Sequence, residues 1–400
     1  IGLRHNFKAS TMLTLKEVND PAKTHQTGMV ASVMDYAPPN IVPRGTKQGD
    51  FYSTTVGPYD LWAIEYGYKP FSGGTDGEAG DLKKIASRCT EPGLDYATDE
   101  DTRGIDPDPL TNRFDLGRDP LEYAKDRTEL VSNLIPGIVT KVTKDGEGYQ
   151  RARQAFGVLL GNYGQAVFLA ARYLGGMEMN RDHKGDPKER APFVVVPAAK
   201  QREALKFLEE HVFSEKPFSF PPELYNQLAA TRWNHWGMTM PMRPDYAVHE
   251  VISMWQERVL DQLLSSLTLE RLHDSELKVA STTEVLTAAD LMSSLTDSIF
   301  ADAVNVGAGD YSNRKPAIGS LRRNLQRVYL KRLSTIALGQ SGAPEDCQSV
   351  AYAELADLEK QLGKTLDGNV KLDTYSRSHL LESRDRIHKV LDARLTFARP

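Results

Sequence analysis

Cysteine is scarce in this chain. Its 400 residues hold only Cys89 and Cys347, which excludes a disulfide scaffold and a cysteine-rich zinc module. One disulfide or two free thiols remain open. Long apolar runs are also missing: nothing approaches the roughly 18 residues that span a bilayer. Neither sign of charge dominates, with 49 Lys+Arg against 54 Asp+Glu and a formal net charge of −5. Such a balance leaves no footprint for wholesale nucleic-acid binding. No repeat of constant period is visible, which argues against a regular solenoid. What is present, 40% hydrophobic and 26% charged residues, fits a folded globular chain with ample length for a real core. The chain starts at Ile1 with neither an initiator methionine nor a targeting segment. It reads as a piece of a longer protein, so its start says nothing about compartment.

Two short segments carry chemistry. The opening runs Ile1-Gly2-Leu3-Arg4-His5-Asn6-Phe7, and Ser32-Val33-Met34-Asp35-Tyr36 follows downstream. A helix bearing two histidines four apart holds one metal ion on one face. A third ligand requires that helix to stop and the chain to turn back. Glycine suits the stop, because it accepts a left-handed backbone without a Cβ penalty. Gly2 and His5 have this G-x-x-H spacing. In this order the segments resemble the second half of the metzincin zinc-protease signature, H-E-x-x-H-x-x-G-x-x-H with a Met-turn downstream. The resemblance makes Gly2 the helix-terminating turn, His5 the third zinc ligand and Met34 the apolar floor of the Met-turn. Tyr36 matches the tyrosine that ligates resting zinc or donates to the oxyanion. The helical histidines and catalytic glutamate would then lie upstream of Ile1.

A third segment, Gly57-Pro58-Tyr59-Asp60-Leu61-Trp62-Ala63-Ile64-Glu65-Tyr66-Gly67-Tyr68, has the marks of a helix. Pro58 suits a first turn, Asp60 its positive end and Gly67 a stop. The spacing of Leu61, Ile64 and Tyr68 predicts that they pack inward. Together the three segments resemble a bacterial family of large zinc-dependent metzincin proteases with a helical region after the catalytic core. Arg322-Arg323-Asn324-Leu325-Gln326 resembles a late motif of the same family. The resemblance implies zinc as cofactor, a protein or peptide substrate, and an extracytoplasmic setting (secreted, periplasmic or cell-surface).

The rest of the chain predicts structure more than chemistry. Residues 71–80 are Gly-rich but lack the phosphate-binding G-x-G-x-x-G context and a Gly-Lys-Ser/Thr ending, so they read as a linker. Residues 91–119 hold nine acidic residues. That density raises Ca²⁺ as a second metal, yet Arg103 and Leu110 break the EF-hand template and favour a solvated acidic loop. Three-to-four-residue apolar spacing predicts helices over 121–135, 151–174, 200–213, 249–272, 287–300, 321–338, 350–362 and 375–395. Pro192-Phe193-Val194-Val195-Val196-Pro197 is the best strand. Trp233-Asn234-His235-Trp236 reads as a half-buried turn or an aromatic platform. Arg322, Arg323, Arg327, Lys331 and Arg332 give a basic helix face, for an acidic partner or membrane surface, or else for pairing with the acidic loop or solvation.

The expected fold is mainly α, α+β overall. Residues 1–75 would form the C-terminal subdomain of a metzincin catalytic domain, 76–120 a Gly-rich and acidic connecting loop, and 121–400 an α-helical domain. The expected activity is peptide-bond hydrolysis by a zinc-activated water, with this fragment inactive alone for want of the H-E-x-x-H half. The competing reading is a non-catalytic helical interaction protein with a structural or degenerate zinc site.

Overall fold

A computed structural model describes residues 2–232 and 243–393. The chain divides into two compact units, the first comprising 1–133 and 168–196, the second 134–167 and 197–400. The cluster Trp233-Asn234-His235-Trp236 lies outside the described residues. Among those described, no helix is long and apolar enough to cross a membrane.

The first unit holds α1 (Leu15–Val18), α2 (Pro21–Thr27), α3 (Pro58–Tyr68), α4 (Gly74–Ala86) and α5 (Pro120–Leu134). A two-stranded antiparallel sheet pairs β1 (Met177–Met179) with β2 (Phe193–Val195), placing Glu178 opposite Val194. The predicted strand is therefore present, though short. One apolar cluster gathers Leu13, Val18, Met29, Leu116, Tyr123 and Leu169. A second gathers Ala9, Val30, Ala31, Tyr59 and Leu94, with Trp62, Ala63 and Tyr96 against it.

Three expectations change here. Residues 71–80 are not a plain linker. Gly73, with φ +115°, turns the chain into α4, whose far end is buried at Ile85 and whose Ile85 carbonyl accepts from the Trp62 indole at 2.7 Å. On α3 the inward face is Tyr59, Trp62 and Ala63, while Leu61, Ile64 and Tyr68 are exposed. Both faces carry apolar residues, so periodicity had no contrast from which to choose. The acidic stretch is not solvated throughout, since Asp101, Asp108 and Asp115 are buried. It belongs to the first unit's interior rather than running as a free connector.

The second unit holds α6 (Ile138–Val142), most of α7 (Gln150–Ala171), α8 (Ala198–His211), α9 (Pro222–Asn226), α10 (Val248–Leu263), α11 (Ser266–Lys278), α12 (Ala288–Val304), α13 (Ser320–Ala337), α14 (Glu345–Asp367) and α15 (Thr374–Leu391). Every predicted helix has a counterpart, but 249–272 is two helices. Ser265 breaks it: its hydroxyl accepts from Thr268 N–H at 3.1 Å and caps α11, the preferred role of serine at a helix start. Helix α14 packs on α12, α13 and α15, burying Leu295, Ile299, Tyr329, Leu333, Leu355, Leu358 and Leu380.

Most of the basic face of α13 is spent inside this unit, Lys331 alone among its five cations being exposed. Arg322 is buried, pairing with Asp302 at 3.1 Å and donating to the Phe213, Ser298 and Ile299 carbonyls. Arg332 meets Asp261 at 2.9 Å and Glu257 at 3.4 Å, and Arg327 faces Glu382 at 3.7 Å. Arg323 lies over the Tyr375 ring. Neighbouring helices thus supply the counter-charges, not the acidic loop.

A buried polar chain crosses this core. Gln326 Nε2 donates to Asp302 at 2.7 Å, and its Oε1 takes the His379 Nε2 hydrogen at 2.7 Å. Burial, with Arg327, Arg323 and Arg386 nearby, pushes His379 down to about 3. A histidine with a depressed folded pKa contributes stability that is complete above its unfolded value, near 6.5, and is lost as pH falls toward the folded value. The urea midpoint of the helical unit should therefore decline from pH 6.5 to 4. A His379→Gln chain, which keeps a donor for Gln326, should decline less steeply; parallel profiles would refute this account.

Candidate active site

The segment containing His5 is fixed by its neighbours rather than by a sheet. Asn6 is fully buried and joins three stretches. Its N–H donates to the Met34 carbonyl at 3.2 Å, its side-chain amide donates to Asp95 O at 2.9 Å, and its Oδ1 accepts from Ala97 N–H at 3.2 Å. Phe7, also fully buried, donates to Ala97 O at 2.7 Å and accepts from Asn112 N–H at 3.2 Å. Gly2 has φ +80°, in the left-handed region where an L side chain is strained.

The turn at 32–36 hangs on Asp60. This carboxylate, almost fully buried at the first turn of α3, accepts from the Ser32 hydroxyl at 2.6 Å, Val33 N–H at 2.9 Å and Gly57 N–H at 3.0 Å. Gly57 must be glycine, because a Cβ there would sit 1.9 Å from the Ala31 carbonyl oxygen. Close backbone approach and a shared acceptor thus lock the turn onto α3.

With both segments held, His5 and Tyr36 meet. Their rings stand edge to face with centroids 4.6 Å apart, and Phe7 stacks on His5 at 5.2 Å. Tyr36 stacks in turn on Phe114 at 5.7 Å. Phe114 has φ +65° and donates its N–H to the Tyr36 carbonyl at 3.2 Å. Such a backbone is strained for a bulky residue, and here it aims the ring at Tyr36. Met34 touches this group through its carbonyl on Asn6.

His5 Nδ1 lies 2.8 Å from Asp99 Oδ2. Asp99 is held below the ordinary carboxylate range, first by this bond and then by charges including Arg113, so it is ionised and can only accept. Nδ1 is therefore the donor to Asp99, which leaves Nε2 as the ring nitrogen free to face a metal ion. Asp99, Arg113, Phe114 and Asp60 were not singled out from sequence as site residues. The acidic stretch had been weighed only as a calcium loop, and nothing local says which of its carboxylates reaches a histidine 94 positions away.

Behind the turn lies a pair of buried acids. Asp35 accepts from Ser10 N–H at 2.8 Å through Oδ2, while its Oδ1 and Asp115 Oδ1 are buried without a protein partner. Burial first, and Asp115 second, push Asp35 up to about 8; burial lifts Asp115 to about 6.

The calcium expectation is not supported. Each of the nine acids in 91–119 already has a protein partner: Arg88 for Glu91, Arg190 for Asp95, His5 and Arg113 for Asp99, Arg4 for Glu100, Arg181 for Asp101, Arg103 for Asp106, Lys8 for Asp108, Asn112 for Asp115 and Tyr173 for Asp119. Among the described residues no group of three or more His, Cys, Asp or Glu side chains converges as a metal site. For zinc, His5 has the donor chemistry of one ligand, and the described residues do not complete the set. Cys89 and Cys347 are free thiols.

His5 thus stands beside Tyr36, and the methionine-bearing turn is tied to the backbone of the next residue, Asn6. A family model described as Met-zincin matches residues 1–307, and the chain belongs to that family. Membership implies zinc as the metal and peptides as the substrate class. No curated protein and no solved structure is significantly similar to the chain.

Two measurements test the framework. Asp60→Ala removes the acceptor of three donors, each charge-assisted bond being worth about 1.5–3 kcal/mol; denaturant unfolding should show a loss of roughly 3 kcal/mol or more. Asp35 works in the opposite sense. A carboxyl whose pKa rises on folding favours the folded state at low pH and loses that contribution as pH climbs from near 4 to its folded value. Asp35→Asn should therefore exceed the parent chain in stability by more than about 1 kcal/mol at pH 8–9, the difference vanishing toward pH 4.

Proposed function

We propose that this chain is part of a zinc-dependent metalloendopeptidase, with His5 as one metal ligand and Tyr36 as a catalytic group. In this reading residues 1–75 are the end of the catalytic domain, and the H-E-x-x-H helix lies upstream of Ile1. The 400-residue chain alone is then inactive. The observation that carries the proposal is the pairing of His5 with Tyr36, in a Met-zincin chain, with His5 Nδ1 engaged by a carboxylate.

Zinc, when bound, supplies an activated water and polarises the scissile carbonyl. The chain's own residues have the following parts. His5 offers the Nε2 lone pair, with Phe7 and Tyr36 packed against its ring so that it keeps its orientation. Tyr36 is half-exposed, and its phenol is suited to donate to the oxyanion that develops on the scissile carbonyl. Stacking on Phe114 limits the arc that this phenol sweeps. Asp60 and Gly57 act at one remove, by fixing the turn that presents Tyr36. The resemblance to secreted and surface proteases also leads us to place the protein outside the cytoplasm.

The test restores the upstream residues, then measures zinc stoichiometry and casein cleavage. His5→Ala should lose bound zinc and activity together. Tyr36→Phe should keep zinc but lose a hundredfold or more in kcat, as removal of an oxyanion donor does. Full zinc and full activity in His5→Ala would end the proposal, whatever Tyr36 did.

A further inference from the structure

We propose that Asp99 is a positioning residue for His5: its carboxylate, braced by Arg113, sets the imidazole with Nδ1 protonated and Nε2 presented to a divalent metal ion. This rests on the reading of His5 as a metal ligand.

The geometry is a closed circuit of four side chains. His5 Nδ1 meets Asp99 Oδ2 at 2.8 Å, and Asp99 Oδ1 meets Arg113 at 3.2 Å. The Arg113 guanidinium lies 4.8 Å from the Phe7 ring centroid, and Phe7 stacks on His5 at 5.2 Å. Both carboxylate oxygens of Asp99 are therefore committed, each to a different partner. Its backbone is committed too. Asp99 opens a short 3₁₀ turn, Asp99–Thr102, in which Thr98 N–H donates to Asp101 Oδ2 at 2.7 Å and Asp101 N–H to the Thr98 carbonyl at 3.0 Å. The Thr102 hydroxyl donates to the Asp99 carbonyl at 3.0 Å.

An unconstrained surface ion pair shows none of this scaffolding. It gains little from water-exposed charge and samples many rotamers. Here the imidazole meets an acceptor on one nitrogen and aromatic rings on its sides, so a ring flip would exchange the Asp99 bond for a C–H contact. A carboxylate behind a ligating histidine fixes its tautomer and raises its basicity, and losing that partner typically costs ten- to hundredfold in metal affinity.

Asp99→Asn is the informative substitution. An amide both donates and accepts, so it releases His5 from the single tautomer that a carboxylate enforces. Nitrogen-15 spectra of the metal-free chain should show His5 protonated at Nδ1 in the parent and a mixed or Nε2-protonated ring in Asp99→Asn. In the upstream-extended protein, competition between the variant and a chelator for Zn²⁺ should show affinity reduced ten- to hundredfold, with an unchanged melting temperature. Asp99→Glu should recover part of the loss. An unaltered tautomer, or Zn²⁺ affinity equal to the parent's, would overturn the role of Asp99. Parent-like Zn²⁺ affinity in His5→Ala would instead overturn the ligand assignment, so the two failures are distinguishable.

Discussion

The arrangement around His5 depends on one buried carboxylate. Asp60 collects three hydrogen bonds from Ser32, Val33 and Gly57, and so joins the start of α3 to the turn that carries Met34 and Tyr36. A loop without a sheet beneath it must satisfy its backbone donors some other way, because an orphaned buried N–H is costly. Asn6 does the same for the segment beside it, reaching Met34, Asp95 and Ala97. With these two side chains in place, the positions of His5 and Tyr36 follow. They are neighbours because their backbones have nowhere else to go.

Charge is handled differently in the two units. The first threads nine acids through a single stretch and gives each a partner, three residues away for Glu91, Asp106 and Asp115 and far along the chain for the other six. Some of those pairs are deeply buried, as in Lys8 with Asp108 at 2.7 Å. A buried pair of this kind is weak evidence of stability, but leaving one partner alone is severe, so the stretch is committed to one arrangement. The second unit instead distributes its cations along α13 and answers them from α10, α12 and α15. In both units the charged side chains act as internal connectors.

The helices of the second unit were legible because their apolar residues recur on one stripe facing a single core, as Leu325, Tyr329 and Leu333 do. Where that contrast fades, reading fails. Helix α3 is apolar on both sides, so Leu61, Ile64 and Tyr68 looked as fit for burial as Tyr59 and Trp62, and the packing of Ile85 and Tyr96 decided otherwise. Helix α4 is glycine-rich at its start and owes its existence to neighbours rather than to propensity. The break at Ser265 was written in capping chemistry, yet the continuous apolar pattern across it outweighed a single hydroxyl.

For the candidate site, local wording pointed to Gly2, His5, Met34 and Tyr36, since a G-x-x-H spacing and a Met-turn are short-range patterns, and the fold brings the His5 and Tyr36 rings together. It was also enough for a mainly helical chain of the Met-zincin family. Tertiary structure alone decided that Asp99 stands behind His5, that Arg113 and Phe7 close the ring around it, and that Phe114 bears on Tyr36. The physical reason is range. Spacing along a helix or turn is dictated by bonds and dihedrals within a few residues, whereas a hydrogen bond between positions 5 and 99 exists only after the intervening chain has folded back and excluded the alternatives.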